Sequence, residues 1–168
     1  MISKKFITNT LNRLFLFIFN SNDIKDVYNY YNIDNTWDTS GQLTEHELIL
    51  LSKKKYSTVI NLAPISSIEK KIINEEKILK SLNINYLHIP VDFKNPTESD
   101  FKKFVKYIKL NHKQKIWIHC AANMRVSAFM YKYRKEVLKM DHNKIIKDLH
   151  VFWRPNKTWK TFLGLDKQ

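Results

Sequence analysis

The chain holds only two glycines, Gly41 and Gly164, and a single cysteine, Cys120, in 168 residues. One cysteine forms no intramolecular disulfide, so nothing here calls for an oxidising compartment. A thiol kept reactive belongs in reducing surroundings, and the cytoplasm is the expectation. Long apolar runs are also missing. Residues 14–19 are apolar and follow Lys4, Lys5 and Arg13, but the run is far too short to span a bilayer, and Phe19-Asn20-Ser21-Asn22 offers no small-residue cleavage site. Residues 1–22 are therefore expected to be an amphipathic extension, docked or interfacial, with peripheral membrane association and export left open. Acidic residues are scarce: 16 against 29 Lys and Arg, a net charge of +13. Such a potential attracts anionic surfaces of any kind. The lysines are scattered, as in Lys53-Lys54-Lys55, Lys70-Lys71 and Lys102-Lys103, and read as solvated helix faces. Clustered arginines and a known binding module are absent, so no specific nucleic-acid binding is expected.

What is present suits one globular domain, with 43% hydrophobic and 13% aromatic residues. Thr44 precedes a helical pattern through Leu48 and Leu51, and Thr58 to Leu62 reads as a buried strand. Apolar residues recur at helical spacing from Ile68 to Leu82, and Tyr86 to Val91 reads as a second strand. Thr97 and Asp100 have capping-box spacing ahead of Phe101, Phe104, Val105 and Ile108 on one face. Lys115 to His119 reads as a third strand, Val126 to Met140 as a helix, and Asp141 as the cap of another running to about His150. This alternation predicts an α/β three-layer sandwich, a central mostly parallel sheet flanked by helices, with the site at a strand's carboxyl end.

Cys120 sits where the third strand gives way to a helix, in His119-Cys120-Ala121-Ala122-Asn123-Met124-Arg125-Val126-Ser127. A loop that curls here turns successive backbone N–H groups toward one point, the helix N-terminus adds partial positive charge, and the arginine supplies a planar fork of donors. A phosphate dianion fits such a cradle, and the same field favours a thiolate. A lone cysteine elsewhere would more simply be a small core hydrophobe. His119, Ser127 and Arg125 around it favour a nucleophile. Asn123 stands at the loop's tight turn, where asparagine tolerates left-handed geometry.

The segment resembles the loop of the cysteine-dependent protein tyrosine and dual-specificity phosphatase superfamily: His-Cys, five residues, Arg, then Ser or Thr. Here the spacing is C-x4-R, with Arg125 one position early and Val126 where the usual arginine stands. Small bacterial phosphatase-like proteins, among them relatives of the domain associated with beta-lactamase-like hydrolases, are similar in carrying the shorter loop. Further likeness lies in Asn29-Tyr30, Ser40-Gly41-Gln42, Val59 to Leu62, His88 to Asp92 and Trp153-x-Pro155-Asn156-x-x-Trp159, so that it extends over about residues 27–163. The resemblance implies a phosphatase-like fold for residues 23–168 as one domain. It also implies dephosphorylation of a phosphorylated protein or small molecule through a phosphocysteine, needing neither cofactor nor metal, and a monomer is expected.

Chemistry assigns the remaining roles. Expelling an alkoxide from phosphorus needs an acid, worth roughly 10²–10⁴-fold. Asp92, just past the second strand, is the expected donor, with Asp100 as the alternative if it is not merely a cap. Arg125 is expected to hold the equatorial oxygens and Ser127 to assist the thiolate or the breakdown of the intermediate. His119, Ala121, Ala122, Asn123 and Met124 are expected to form the phosphate-binding loop, and His88 to serve a structural partner. Trp153, Arg154 and Trp159 either line the cleft or pack in the core. Two alternatives stay open: a rhodanese-like sulfurtransferase, since those enzymes also use a six-residue loop, and a catalytically weak phosphate-binding module.

Overall fold

The structure, a computed structural model, describes residues 23–64, 74–111 and 113–166. The N-terminal extension and the first part of the expected 68–82 helix lie outside the described residues. A single 3₁₀ turn, Ile24–Asp26, leads into β1 (Tyr31–Asn32) and β2 (Trp37–Ser40). There follow α1 (Glu45–Lys53), β3 (Thr58–Asn61), α2 (Glu75–Ser81), β4 (Asn85–His88), α3 (Glu98–Leu110), β5 (Ile116–His119), α4 (Met124–Glu136), α5 (His142–Phe152) and α6 (Lys157–Phe162).

The sheet has the order β1-β2-β5-β3-β4, with only β1 antiparallel. Alternate strand residues face opposite layers, as the pleat requires. Ile60, Ile116 and Ile118 join Phe104, Phe129, Ile145 and Trp159 in the core beneath α3 to α6. Val59 and Trp117 join Leu48, Leu51 and Leu79 beneath α1 and α2. Three layers result, as the alternation of elements predicts. The helices begin where their side chains dictate: Thr44 and Glu47 form a reciprocal capping box on α1, and Thr97, Asp141 and Asn156 each accept an N–H of the first turn they precede.

The position of the site follows from topology. β3 and β5 are neighbours, yet α2 after β3 packs on one face and α4 after β5 on the other. Chains leaving adjacent parallel strands in opposite directions open a crevice at their carboxyl ends, where ligands bind in open α/β sheets. Cys120 is the first residue past β5.

Two strands escaped the sequence reading. β2 is short and its Asp38, Thr39 and Ser40 are all buried, so no polar alternation marks it. Its polar groups are met from afar: Tyr30 and Tyr56 hydroxyls donate to Asp38, and Trp117 Nε1 donates to Ser40 Oγ (2.9 Å). Among the described residues no helix is long and apolar enough to cross a membrane.

Candidate active site

Cys120 is anchored by its own backbone, whose N–H donates to the Ser40 carbonyl (3.4 Å). The chain then turns through Ala121 and Ala122 into Asn123, which has φ +61°. The left-handed turn expected at this asparagine is therefore present. Its side chain does not cap α4. Nδ2 instead donates to the Asn29 carbonyl (2.8 Å) and to Thr39 Oγ1 (3.0 Å), while Asn29 Nδ2 donates back to the Ala122 carbonyl (3.0 Å). The Ala121 carbonyl accepts from the Gln42 N–H (3.2 Å).

These bonds orient the loop. In a trans peptide the N–H points opposite to the preceding carbonyl, so with the Ala121 carbonyl turned to Gln42, the Ala122 N–H faces away from it. The N–H groups of Met124, Arg125 and Val126 open α4 and have no intrahelical acceptor. A row of donors at a helix start without a side-chain cap is a site for an anion. Position 41 has room only for glycine: a Cβ there would lie 2.4 Å from Tyr28 Cδ1, with the Ala121 oxygen of the loop next at 3.0 Å.

Arg125 lies in the first turn of α4, half-buried. Its Cζ is 5.3 Å from the centre of the Phe93 ring, and its buried Nε finds no hydrogen-bond acceptor. No carboxylate pairs with it among the described residues. A partly desolvated guanidinium left uncompensated has strong affinity for an incoming oxyanion. Phe93 adjoins Asp92, so the expected acid's loop does meet the arginine. That loop is fixed by Trp159, whose Nε1 donates to the Phe93 carbonyl (2.9 Å), and by Trp153 packed on Phe93. Asp92 itself is exposed and its Oδ1 accepts from the Lys94 N–H (2.9 Å), a turn that presents the carboxylate to solvent.

Other expected residues fall out as follows. Cys120 has no exposed surface and is counted with the apolar core of Ile118, Val126 and Phe129. The residue is thus buried against that core at the base of the loop. Ser127 donates to the Met124 carbonyl (3.0 Å), so its hydroxyl is engaged within the helix. Ala121 is exposed, and Ala122 and Met124 half-buried. Asp100 is engaged at the capped start of α3, where its N–H donates to Thr97 Oγ1 (3.1 Å) and its Oδ2 accepts from the Thr97 hydroxyl (2.6 Å). His88 Nε2 bonds the Ala63 carbonyl (2.7 Å), the structural partner expected. Trp159 is core; Arg154 is exposed and bonds the His150 carbonyl. Among the described residues no cluster of three or more His, Cys, Asp or Glu is placed to hold a metal ion.

The residue missed altogether is Glu75, the first of α2. It is buried, its Oε2 lies 3.4 Å from His119 Nε2, and it accepts from Gln42, Asn61 and Tyr86. Burial alone would raise its carboxyl above the usual range, but the facing His119 and the donated hydrogen bonds outweigh that and hold it down at about 2, against an ordinary 4.5. A carboxyl lowered in the folded state stabilises the fold fully above the unfolded value and ceases to do so as pH falls through the folded one. Stability should therefore drop between about pH 4.5 and pH 2 by on the order of 3 kcal/mol from this group. Urea unfolding across that range checks it: in Glu75→Gln the corresponding part of the acid dependence should be gone.

The comparisons with known proteins agree with this geometry. A phosphatase-like DUF442 protein from Shewanella putrefaciens is 25% identical with a TM-score of 0.71, covering 84% of this chain and 93% of that one. P. aeruginosa TpbA (15% identity, TM-score 0.65, 82% and 84% covered) shares the fold. So does the core catalytic domain of a PP-IP phosphatase from S. cerevisiae (16%, 0.68, 83% and 85%). No curated protein matches. The family model described as a DSP-PTPase phosphatase fused to NAD+ kinase matches residues 20–156, most of the chain and all of the loop, and it is to this family of cysteine-based phosphatases that the chain belongs.

Proposed function

We propose that the protein hydrolyses phosphoric monoesters through a phosphocysteine intermediate on Cys120. The observation that carries this reading is the guanidinium of Arg125, half-buried and without a carboxylate partner among the described residues, at the uncapped start of the helix that follows the cysteine. Such a site is electrostatically unfinished until an oxyanion enters it.

The Cys120 sulfur attacks phosphorus, forming S–P as the P–O bond to the leaving group breaks, and Asp92 delivers its proton to the departing oxygen. Water then attacks phosphorus, giving a proton to the Asp92 carboxylate. The S–P bond breaks, the thiolate is restored and inorganic phosphate leaves. Arg125 and the amides of Ala122 to Val126 hold the equatorial oxygens throughout, where charge spreads in the transition state. His119 orders the base of the loop, and Ser127, held within α4, supports the loop's first helical turn. The substrate is a phosphorylated protein or small molecule bearing a dianionic monoester, and the chain acts as a monomer in the cytoplasm.

A panel of phosphoesters, from p-nitrophenyl phosphate to phosphoserine peptides, tests this. Asp92→Asn should lower turnover of substrates with poor leaving groups by about 10²-fold or more and flatten the alkaline limb of the pH–rate profile. Substrates with good leaving groups should be affected far less. An unchanged profile would remove Asp92 from the mechanism.

A further inference from the structure

The loop that carries Asp92 is tied to the sheet at its start, where the Val91 N–H donates to the Leu62 carbonyl (3.2 Å). The next bonds close within the loop itself: the Asn95 N–H donates to the Asp92 carbonyl (3.2 Å) and the Lys94 N–H to Asp92 Oδ1 (2.9 Å). What fixes this turn against the rest of the protein comes from far along the chain. Trp159 Nε1 donates to the Phe93 carbonyl (2.9 Å), and the Phe93 ring lies 5.4 Å from Trp159 and 5.3 Å from Trp153. The same ring carries the Arg125 guanidinium at 5.3 Å. A fully buried phenylalanine would fill the core at position 159, but only an indole both fills it and supplies a directional donor to the loop.

Trp159 holds the loop only as firmly as α6 is itself held, and a buried ammonium group does that. Lys132 on α4 is 5% exposed, and its Nζ donates to the Phe162 carbonyl of α6 (3.0 Å) and to Glu136 (2.7 Å), with Glu98 of α3 also at 3.0 Å. It lies 4.9 Å from the centre of the Phe162 ring and 5.2 Å from that of Phe101. A buried charge is costly unless it is fully met, and meeting this one ties α6 to α3 and α4. The helix that begins beside Arg125 is thereby joined to the helix that bears Trp159, and Trp159 to the residue after Asp92.

We propose that Trp159 is a positioning residue for Asp92: its indole N–H, on a helix locked to α4 by Lys132, holds the Phe93 carbonyl and so keeps the carboxyl within reach of the leaving oxygen. Proton transfer needs the acid within about 2.6–3.2 Å of that oxygen, so a small drift of the loop costs rate only where the leaving group needs the proton. This rests on the reading of Asp92 as the acid. The two are separable, because Asp92→Asn tests the acid and the variants at position 159 test its placement.

The experiment is the turnover of aryl phosphates, from p-nitrophenyl phosphate to phenyl phosphate, by wild type, Asp92→Asn, Trp159→Phe, the double variant, and protein with benzothienylalanine at position 159, which keeps the bicyclic ring and lacks the N–H. Near-ultraviolet circular dichroism checks the fold. Loss of the N–H should lower phenyl phosphate turnover about tenfold, a part of what the acid supplies, and p-nitrophenyl phosphate turnover far less. In the Asp92→Asn background Trp159→Phe should add nothing. A folded variant at position 159 with the wild-type dependence on leaving group overturns the proposal. So does an equal loss on every ester, which would make Trp159 a packing residue, or a Trp159→Phe effect undiminished without Asp92. If Trp159→Phe does not fold, the benzothienyl protein decides alone. If Asp92→Asn keeps the wild-type dependence, the reading of Asp92 as the acid fails and this proposal with it; a wild type that hydrolyses none of the esters removes the proposed function as well.

Discussion

Cys120→Ser should abolish phosphoester turnover, by at least about 10⁴-fold, while leaving inorganic phosphate binding within a few-fold of wild type. The two halves of this expectation come from different parts of the site. Turnover needs the sulfur, which is far more nucleophilic than a serine hydroxyl with no base to activate it. Phosphate binding needs the amides and Arg125, and these are placed by bonds that do not involve the thiol: Gln42 on the Ala121 carbonyl, Asn29 on the Ala122 carbonyl, Asn123 on Asn29 and Thr39. Serine is nearly isosteric, so the packing of this fully buried position against the core of Ile118 and Val126 is preserved. Isothermal titration with phosphate and a p-nitrophenyl phosphate assay on the same preparation check both halves. Loss of binding together with turnover would mean that the sulfur builds the cradle rather than acting within it.

Arg125→Ala should cost about 10³- to 10⁵-fold in kcat/KM, the range for an arginine that neutralises a transferring phosphoryl group. It should also abolish the phosphate binding that Cys120→Ser retains. Arg125→Lys should recover little, because a point charge cannot grip two oxygens at once. The guanidinium also lies over the Phe93 ring at 5.3 Å, a contact worth roughly 0.5–1 kcal/mol, so only a small loss of stability accompanies the large loss of activity. Thermal unfolding separates the two. A variant that unfolds far below wild type, with activity lost in proportion, would make the arginine a packing residue.

The nucleophile loop was legible in the sequence because its chemistry is local. His119, Cys120, Asn123 and Arg125 fall within seven residues, and asparagine at the turn announces its left-handed backbone before any coordinates do. The helices were legible for the same reason, since Thr44, Thr97 and Asp141 cap helices starting one residue later. What could not be read is what depends on distant partners. β2 buries Asp38, Thr39 and Ser40, which look like a turn until Tyr30, Tyr56 and Trp117 are brought to them. Glu75 looks like an ordinary acidic residue in a helix's first turn, which the helix dipole alone would favour; its partners lie far away in the chain at Gln42, Asn61 and His119. The role of Gly41 was hidden too, because the glycine is demanded by the Tyr28 ring packed against it, with the Ala121 carbonyl also close.

The measurement that bears most directly on the chemistry is a rapid acid quench of wild-type protein turning over p-nitrophenyl phosphate, followed by mass analysis of the peptide that contains Cys120. A single phosphoryl group on that cysteine, formed in a burst with p-nitrophenol release and absent from Cys120→Ser, is the predicted result. Turnover that proceeds with no phosphoryl group on Cys120, or survives its replacement, would contradict the account.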